Sequence, residues 1–209
     1  MKQKIQIRCK NNKKSQKVEI GSTLFDVFSS FDLKMTHGPV SARVNNKVEG
    51  MHYRVYNSKD VEFLDMNSAS GSRAYTRTLF FVLCKAVQDI YPNTDVVIDI
   101  PVSNGFYVDI RLGRPVVDED VNILRRRMQE IIDSKMPIRR FTVPTEEAIA
   151  LFQEKGDVEK VKLLRTSGSI YTTYYKIGEY VDYYYGTLLT NTSQLYLFGL
   201  EKYLSLIHI

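Results

Sequence analysis

The chain is poor in the side chains from which common catalytic and metal sites are built. Only two of its 209 residues are cysteine, Cys9 and Cys84, and no Cys-x-x-Cys or Cys/His spacing joins them to anything. Neither a disulfide framework nor a zinc knot is signalled, and both read as reduced core thiols. Histidine is almost as scarce, with His37, His52 and His208 as the whole supply. There is no G-x-x-x-x-G-K-[ST] phosphate loop, no G-x-S-x-G elbow, no dinucleotide glycine set and no H-E-x-x-H pair. Gly21-Ser22-Thr23 is a helix start without the phosphate-loop lysine. No apolar run approaches the roughly 20 residues that cross a bilayer. Met1-Lys2-Gln3-Lys4 leads into an alternating strand, not a secretory core. The expectation is a cytoplasmic protein without a membrane partner.

What the chain does have is a globular balance, 44% hydrophobic and 25% charged, enough for one large or two small domains. Its net charge of +5 is unevenly spread. Lys2, Lys4, Arg8, Lys10, Lys13, Lys14 and Lys17 all precede the first acid, Glu19, so the remainder holds 22 cations against 24 acids. Lysines at such a density can hold phosphates through counterion release, with Lys10, Lys13, Lys14 and Lys17 as candidates. They also suit an exposed sheet edge, where charge prevents pairing with other chains.

The most informative stretch is residues 72–110. Leu79, Val82, Leu83, Ala86, Val87 and Ile90 recur at steps of three and four, one stripe of an amphipathic helix that must lie on a sheet. Arg77, Phe81, Cys84 and Gln88 fall on the opposite face, and an aromatic there calls for a second cover. Pro92 stops the helix. Two Val/Ile-rich runs around Asn104-Gly105 then read as a hairpin on the helix.

Ahead of this core, residues 4–9 and 16–20 alternate as a hairpin, Gly21-Ser22-Thr23 opens a helix, and residues 40–44 and 61–64 are strands. Behind it come a helix at 118–134 carrying Arg125-Arg126-Arg127, a strand at 141–143, helices at 145–152 and 157–164, and strands at 171–177 and 180–184. Residues 195–198 and 203–207 are the last strand candidates. Seven of the 14 tyrosines lie between Tyr171 and Tyr185. They read either as a stacking surface for bases or as filling for half-buried strands.

The opening hairpin, the Gly-Ser-Thr-Leu helix start, Ala42-Arg43-Val44-Asn45 and Val61-Glu62-Phe63-Leu64 resemble a TGS domain, the small module at the front of threonyl-tRNA synthetases. Tyr91-Pro92, Asn104-Gly105-Phe106-Tyr107, residues 144–148 and Tyr180-Val181-Asp182 resemble that synthetase's editing domain, in order and spacing. The resemblance implies an α+β chain, with residues 1–65 a ubiquitin-like β-grasp (TGS) domain and 66–209 an editing-like sheet with a long central helix. It also implies a His-x-x-x-His on that helix and a Cys-x-x-x-His late in the sheet. Here those positions fall on Arg77 and Phe81, and on Tyr184 and Leu188. Phe and Leu have no proton or lone pair to offer, Arg stays protonated below pH about 12, and Tyr titrates near 10.

Loss of the site on a kept scaffold, with Arg73-Ala74-Tyr75-Thr76-Arg77-Thr78-Leu79 and Lys85-Ala86, is similar to the front half of bacterial uridine (nucleoside) kinases. That resemblance implies a non-catalytic scaffold for a P-loop kinase domain beyond Ile209, its principal partner. ATP and magnesium would belong to that domain, and no cofactor or metal to this segment. A nucleoside or RNA ligand would contact Arg73, Tyr75, Arg77, Phe81, Tyr107 and Tyr184. The alternative is an RNA- or tRNA-binding module related to threonyl-tRNA synthetase, or a trans-editing aminoacyl-tRNA hydrolase.

Overall fold

In the computed structural model of the protein, which describes residues 3–102, 105–203 and 206–209, alternation sets the first sheet. On β1 (Lys4–Cys9) and β2 (Ser15–Glu19), Ile7, Cys9 and Val18 turn inward while the lysines face water. The turn between them is anchored by Asn11, whose side chain bonds both the amide and the carbonyl of Phe63, at 2.8 and 2.9 Å. Helix α1 (Leu24–Ser30) starts at Thr23, where Thr23 and Asp26 cap one another. Strands β3 (Ser41–Val44), β4 (Lys47–Glu49) and β5 (Lys59–Leu64) complete a sheet of order β2-β1-β5-β3-β4, with β1 and β5 parallel and the other pairs antiparallel. The short β4 goes beyond the strands expected from sequence.

Helix α2 (Ala69–Ile90) begins six residues before Tyr75, capped by Ser68. Gly71 makes this start possible, since a Cβ there would stand 1.8 Å from the Asp65 carbonyl oxygen. Six consecutive residues, Thr78 to Leu83, are buried. At 3.6 residues per turn they leave no side of the helix bare, so the expected cover over Phe81 exists. Strands β6 (Val96–Val102) and β7 (Gly105–Ile110) pair antiparallel with a register shift between Ile98 and Pro101. Pro101, which has no amide to donate, sits on a sheet edge. Phe106 meets Phe80 of α2 edge to face, at 4.9 Å. The Asn104 half of the expected Asn-Gly turn lies outside the described residues.

Helix α3 (Asp118–Asp133) packs on α2, and its buried apolar side is Val121, Leu124, Met128, Ile131 and Ile132. Strand β8 (Arg139–Pro144), helices α4 (Thr145–Glu154) and α5 (Val158–Thr166), and strands β9 (Tyr171–Ile177) and β10 (Tyr180–Tyr183) follow. They form an antiparallel β10-β9-β8 sheet with a core of Ala148, Ile149, Phe152, Val161, Leu164 and Val181. Lys160 bonds Asp157 and Asp182 within this group, at 2.7 and 2.8 Å.

Residues 195–198 are not the strand that their composition suggested. The Tyr75 hydroxyl accepts the amides of Tyr196 and Leu197 and donates to the Leu197 carbonyl, which takes these groups away from any ladder. The expected strand at 203–207 is instead two short ones, β11 (Glu201–Tyr203) and β12 (Leu206–His208), and the residues joining them lie outside those described. Strand β12 pairs with β7, giving a sheet of order β11-β12-β7-β6. The architecture is α+β. It divides into two compact units, Met1–Met136 with Thr187–Ile209, and Pro137–Gly186. The boundary expected after residue 65 falls inside the first. No helix among the described residues is long and apolar enough to cross a membrane.

Candidate functional site

The face of α2 that carries Phe81 also carries Arg77 and Lys85, one helical turn to either side. Phe81 is fully buried and Arg77 half-buried. Lys85 is buried too, and its ammonium reaches both carboxylate oxygens of Asp89 at 2.9 Å. Arg127 of α3 reaches the same carboxylate at 2.8 and 3.0 Å and bonds Glu130. What runs along this side of α2 is therefore an aromatic plug followed by a closed set of ion pairs.

Residues 187–198 are strapped across the same unit. The Thr78 hydroxyl, fully buried, donates to the Ala74 carbonyl and accepts the Leu189 amide at 2.8 Å. This sets Leu188, 1% exposed, into the core beside α2. Thr192 exchanges bonds with Met136 and donates to the Ile131 carbonyl. Gln194 accepts from Thr190 and Asn191 and donates to the Pro39 carbonyl. Burial drives the Tyr75 phenol above its ordinary pKa, so its hydroxyl keeps the proton that it gives to Leu197.

Phe81 and Leu188 are thus both core packing, and Tyr75 is the clasp that holds residues 196–197. Arg73 is exposed and bonds the Ser70 hydroxyl. Tyr107 is half-buried on β7, in register with His208. Tyr184 is half-buried and belongs to the other unit. There, Tyr175 is buried with its hydroxyl on the Gly186 carbonyl, and Tyr174 stacks on Phe141, while Tyr171 and Tyr185 are 64% and 87% exposed. Most of the cluster fills space. Lys10, Lys13, Lys14 and Lys17 are all exposed around the β1–β2 turn, and β2 is a sheet edge. Both readings of that hairpin fit its position. Among the described residues no three His, Cys, Asp or Glu side chains group as metal ligands.

A cavity of about 480 Å³ lies between the last turns of α3 and the strap. Arg125, Gln129, Asp133 and Lys135 line one side and Ser193, Tyr196 and Leu197 the other. Sequence reading passed over it because its walls come from segments some 60 residues apart, neither carrying a motif. The tryptophan-free chain offers one hint only, the aromatic and apolar run at 195–198 with no periodicity to bury it.

No protein-family model matches the chain. It is similar to the threonine–tRNA ligase of Acetivibrio thermocellus, 30% identical over 181 residues, 86% of this chain and 28% of the ligase. To the ligase of Clostridium kluyveri it is 28% identical over 192 residues, 91% of this chain and 30% of the ligase. To that of Marinobacter nauticus it is 26% identical over 181 residues, again 28% of the ligase. The chain spans less than a third of the length of these relatives, and over most of its own length it is threonyl-tRNA synthetase-like.

Proposed function

We propose that this chain is a non-catalytic RNA-binding module built on the frame of the synthetase's TGS and editing region, with residues 1–65 as the TGS-like part and 66–209 as the degenerate editing-like part, working in the cytoplasm. One observation carries the reading: Phe81 and Leu188, two of the positions where the resemblance implies histidines, are apolar side chains 0% and 1% exposed. A hydrolase of mischarged tRNA needs a base or a held water at those points, and a sealed phenyl and isobutyl group supply neither. The similarity to threonine–tRNA ligases supports tRNA or a related RNA as the partner. The exposed lysines of the β1–β2 hairpin support phosphate contact.

Two assays test the reading. Seryl-tRNA of threonine type should deacylate no faster with the protein than in buffer, and turnover would overturn the non-catalytic part. RNA affinity should fall linearly in log–log form with salt, by roughly 0.7 decades per decade for each phosphate contact to a single strand. Charge reversal at Lys13 and Lys14 should flatten that slope. The front end of a uridine kinase is a second reading, favoured by the run from Arg73 to Leu79; the similarity to threonine–tRNA ligases supports it less than the tRNA-related one. It requires that the gene encode a phosphate loop after Ile209 and that the longer protein phosphorylate uridine with ATP and magnesium.

A further inference from the structure

We propose that the cavity between α3 and the strap holds one unpaired nucleotide of a single-stranded RNA, an inference that rests on the RNA-binding reading and assigns it a second surface apart from the lysine hairpin. The cavity's volume of about 480 Å³ suits a nucleotide-sized group. Its walls divide by chemistry in the way a nucleotide does. Tyr196 offers a platform for a base: the residue is 44% exposed, and its ring is backed by His37 stacked at 3.7 Å and 12° and braced edge-on by Tyr75 at 5.4 Å. The clasp from the Tyr75 hydroxyl to the amides of Tyr196 and Leu197 holds that ring before any ligand arrives, so little ordering entropy is lost on binding.

Cations stand on the opposite wall. Arg125 is pinned by the Leu200 carbonyl and by Asn122. Lys135 is exposed. Together they complement a phosphate. Between them Asp133, exposed and held by the Gln129 amide at 2.8 Å, presents a carboxylate that can only accept. A carboxylate repels phosphate but accepts from a ribose 2′-hydroxyl, and it thereby distinguishes RNA from DNA. Every group in this set belongs to one compact unit.

The probe is a labelled single-stranded RNA of about 12 nucleotides and its DNA counterpart, followed by anisotropy with the whole chain. Tyr196→Ala should weaken RNA binding about 5- to 150-fold, the range for loss of one base stack, and Tyr196→Phe should recover most of it. Lys135→Glu, an exposed substitution that should leave Tm nearly unchanged, should weaken RNA and DNA alike by several-fold. Asp133→Ala should lower the ratio of RNA to DNA affinity. If the wild-type chain binds RNA and loses it on charge reversal at Lys13 and Lys14, but not on Tyr196→Ala or Lys135→Glu, the cavity assignment falls and the RNA reading stands. If the wild-type chain binds no RNA, both fall. Binding of free mononucleotides at the same site, with no gain for the oligomer, would overturn the strand as its occupant.

Discussion

Replacing Asp120 with alanine should be among the most damaging single changes to the α2–α3 layer. The Asp120 carboxylate is 3% exposed and accepts four bonds: two from the Arg114 guanidinium at 2.7 Å, one from the Tyr91 hydroxyl at 2.7 Å, and one from the Val117 amide at 2.9 Å. The last is the N-cap of α3, because Val117 has no side-chain acceptor of its own, and losing a cap costs about 1 kcal/mol. The paired guanidinium is 50% exposed and regains water when released, so its share is small beside that of the cap. The half-buried Tyr91 hydroxyl adds roughly 0.5 kcal/mol. The cap and the Tyr91 bond together set an expected loss of at least about 1.5 kcal/mol, a fall of roughly 3–6 °C in Tm, read by urea and thermal unfolding. A loss below about 0.5 kcal/mol, that of an ordinary surface substitution, would refute the network as a structural anchor. The pH dependence gives a second check. The Arg114 guanidinium and the Val117 and Tyr91 donors outweigh burial and hold the Asp120 carboxyl well below its ordinary range. The native state then binds fewer protons than the unfolded one between that low value and about 3.9, so the contribution is whole above pH about 4–5 and is lost as pH falls through the window. Asp120→Asn should flatten this acid limb.

Thr78→Val removes the acceptor of the Leu189 amide without changing volume much. It should cost about 1–3 kcal/mol and speed proteolysis within residues 187–198. Gly71→Ala forces a Cβ onto the Asp65 carbonyl and should destabilise by at least about 1–3 kcal/mol, whereas Ala69→Ser, exposed in the same turn, should shift Tm little. Burial opposes the charge on Lys160, but Asp182 and Asp157 outweigh it and leave its pKa above the ordinary value. Its stabilising share is therefore complete below pH about 10 and is lost as pH rises through the folded value. Lys160→Met should abolish that alkaline loss while costing about 2 kcal/mol at neutral pH, because two carboxylates are left without their cation.

Local pattern carried much of this protein into view. The three- and four-residue recurrence along α2, the alternation of β1 and β9, the acids opening α3 and the Pro92 stop each report a constraint within one element. Physics of that range is written in neighbouring residues. The candidate site was legible only as a set of positions: Arg77, Phe81 and Leu188 could be named, but that Phe81 and Leu188 are sealed in the core required knowing what lies over α2.

Residues 195–198 mark where that reading stops. Leu195, Tyr196, Leu197 and Phe198 have the composition of a strand, and nothing adjacent to them says otherwise. One hydroxyl more than a hundred residues away, on Tyr75, captures two of their amides, and backbone groups bonded there cannot also join a ladder. From its own residues the sequence determined the helices and most of the strands, while Arg77, Phe81, Tyr184 and Leu188 were singled out only through the resemblance. Tertiary structure alone decided the strap, the Asp120 anchor and the cavity beside Tyr196, because each depends on partners that are distant along the chain and adjacent only once it is folded.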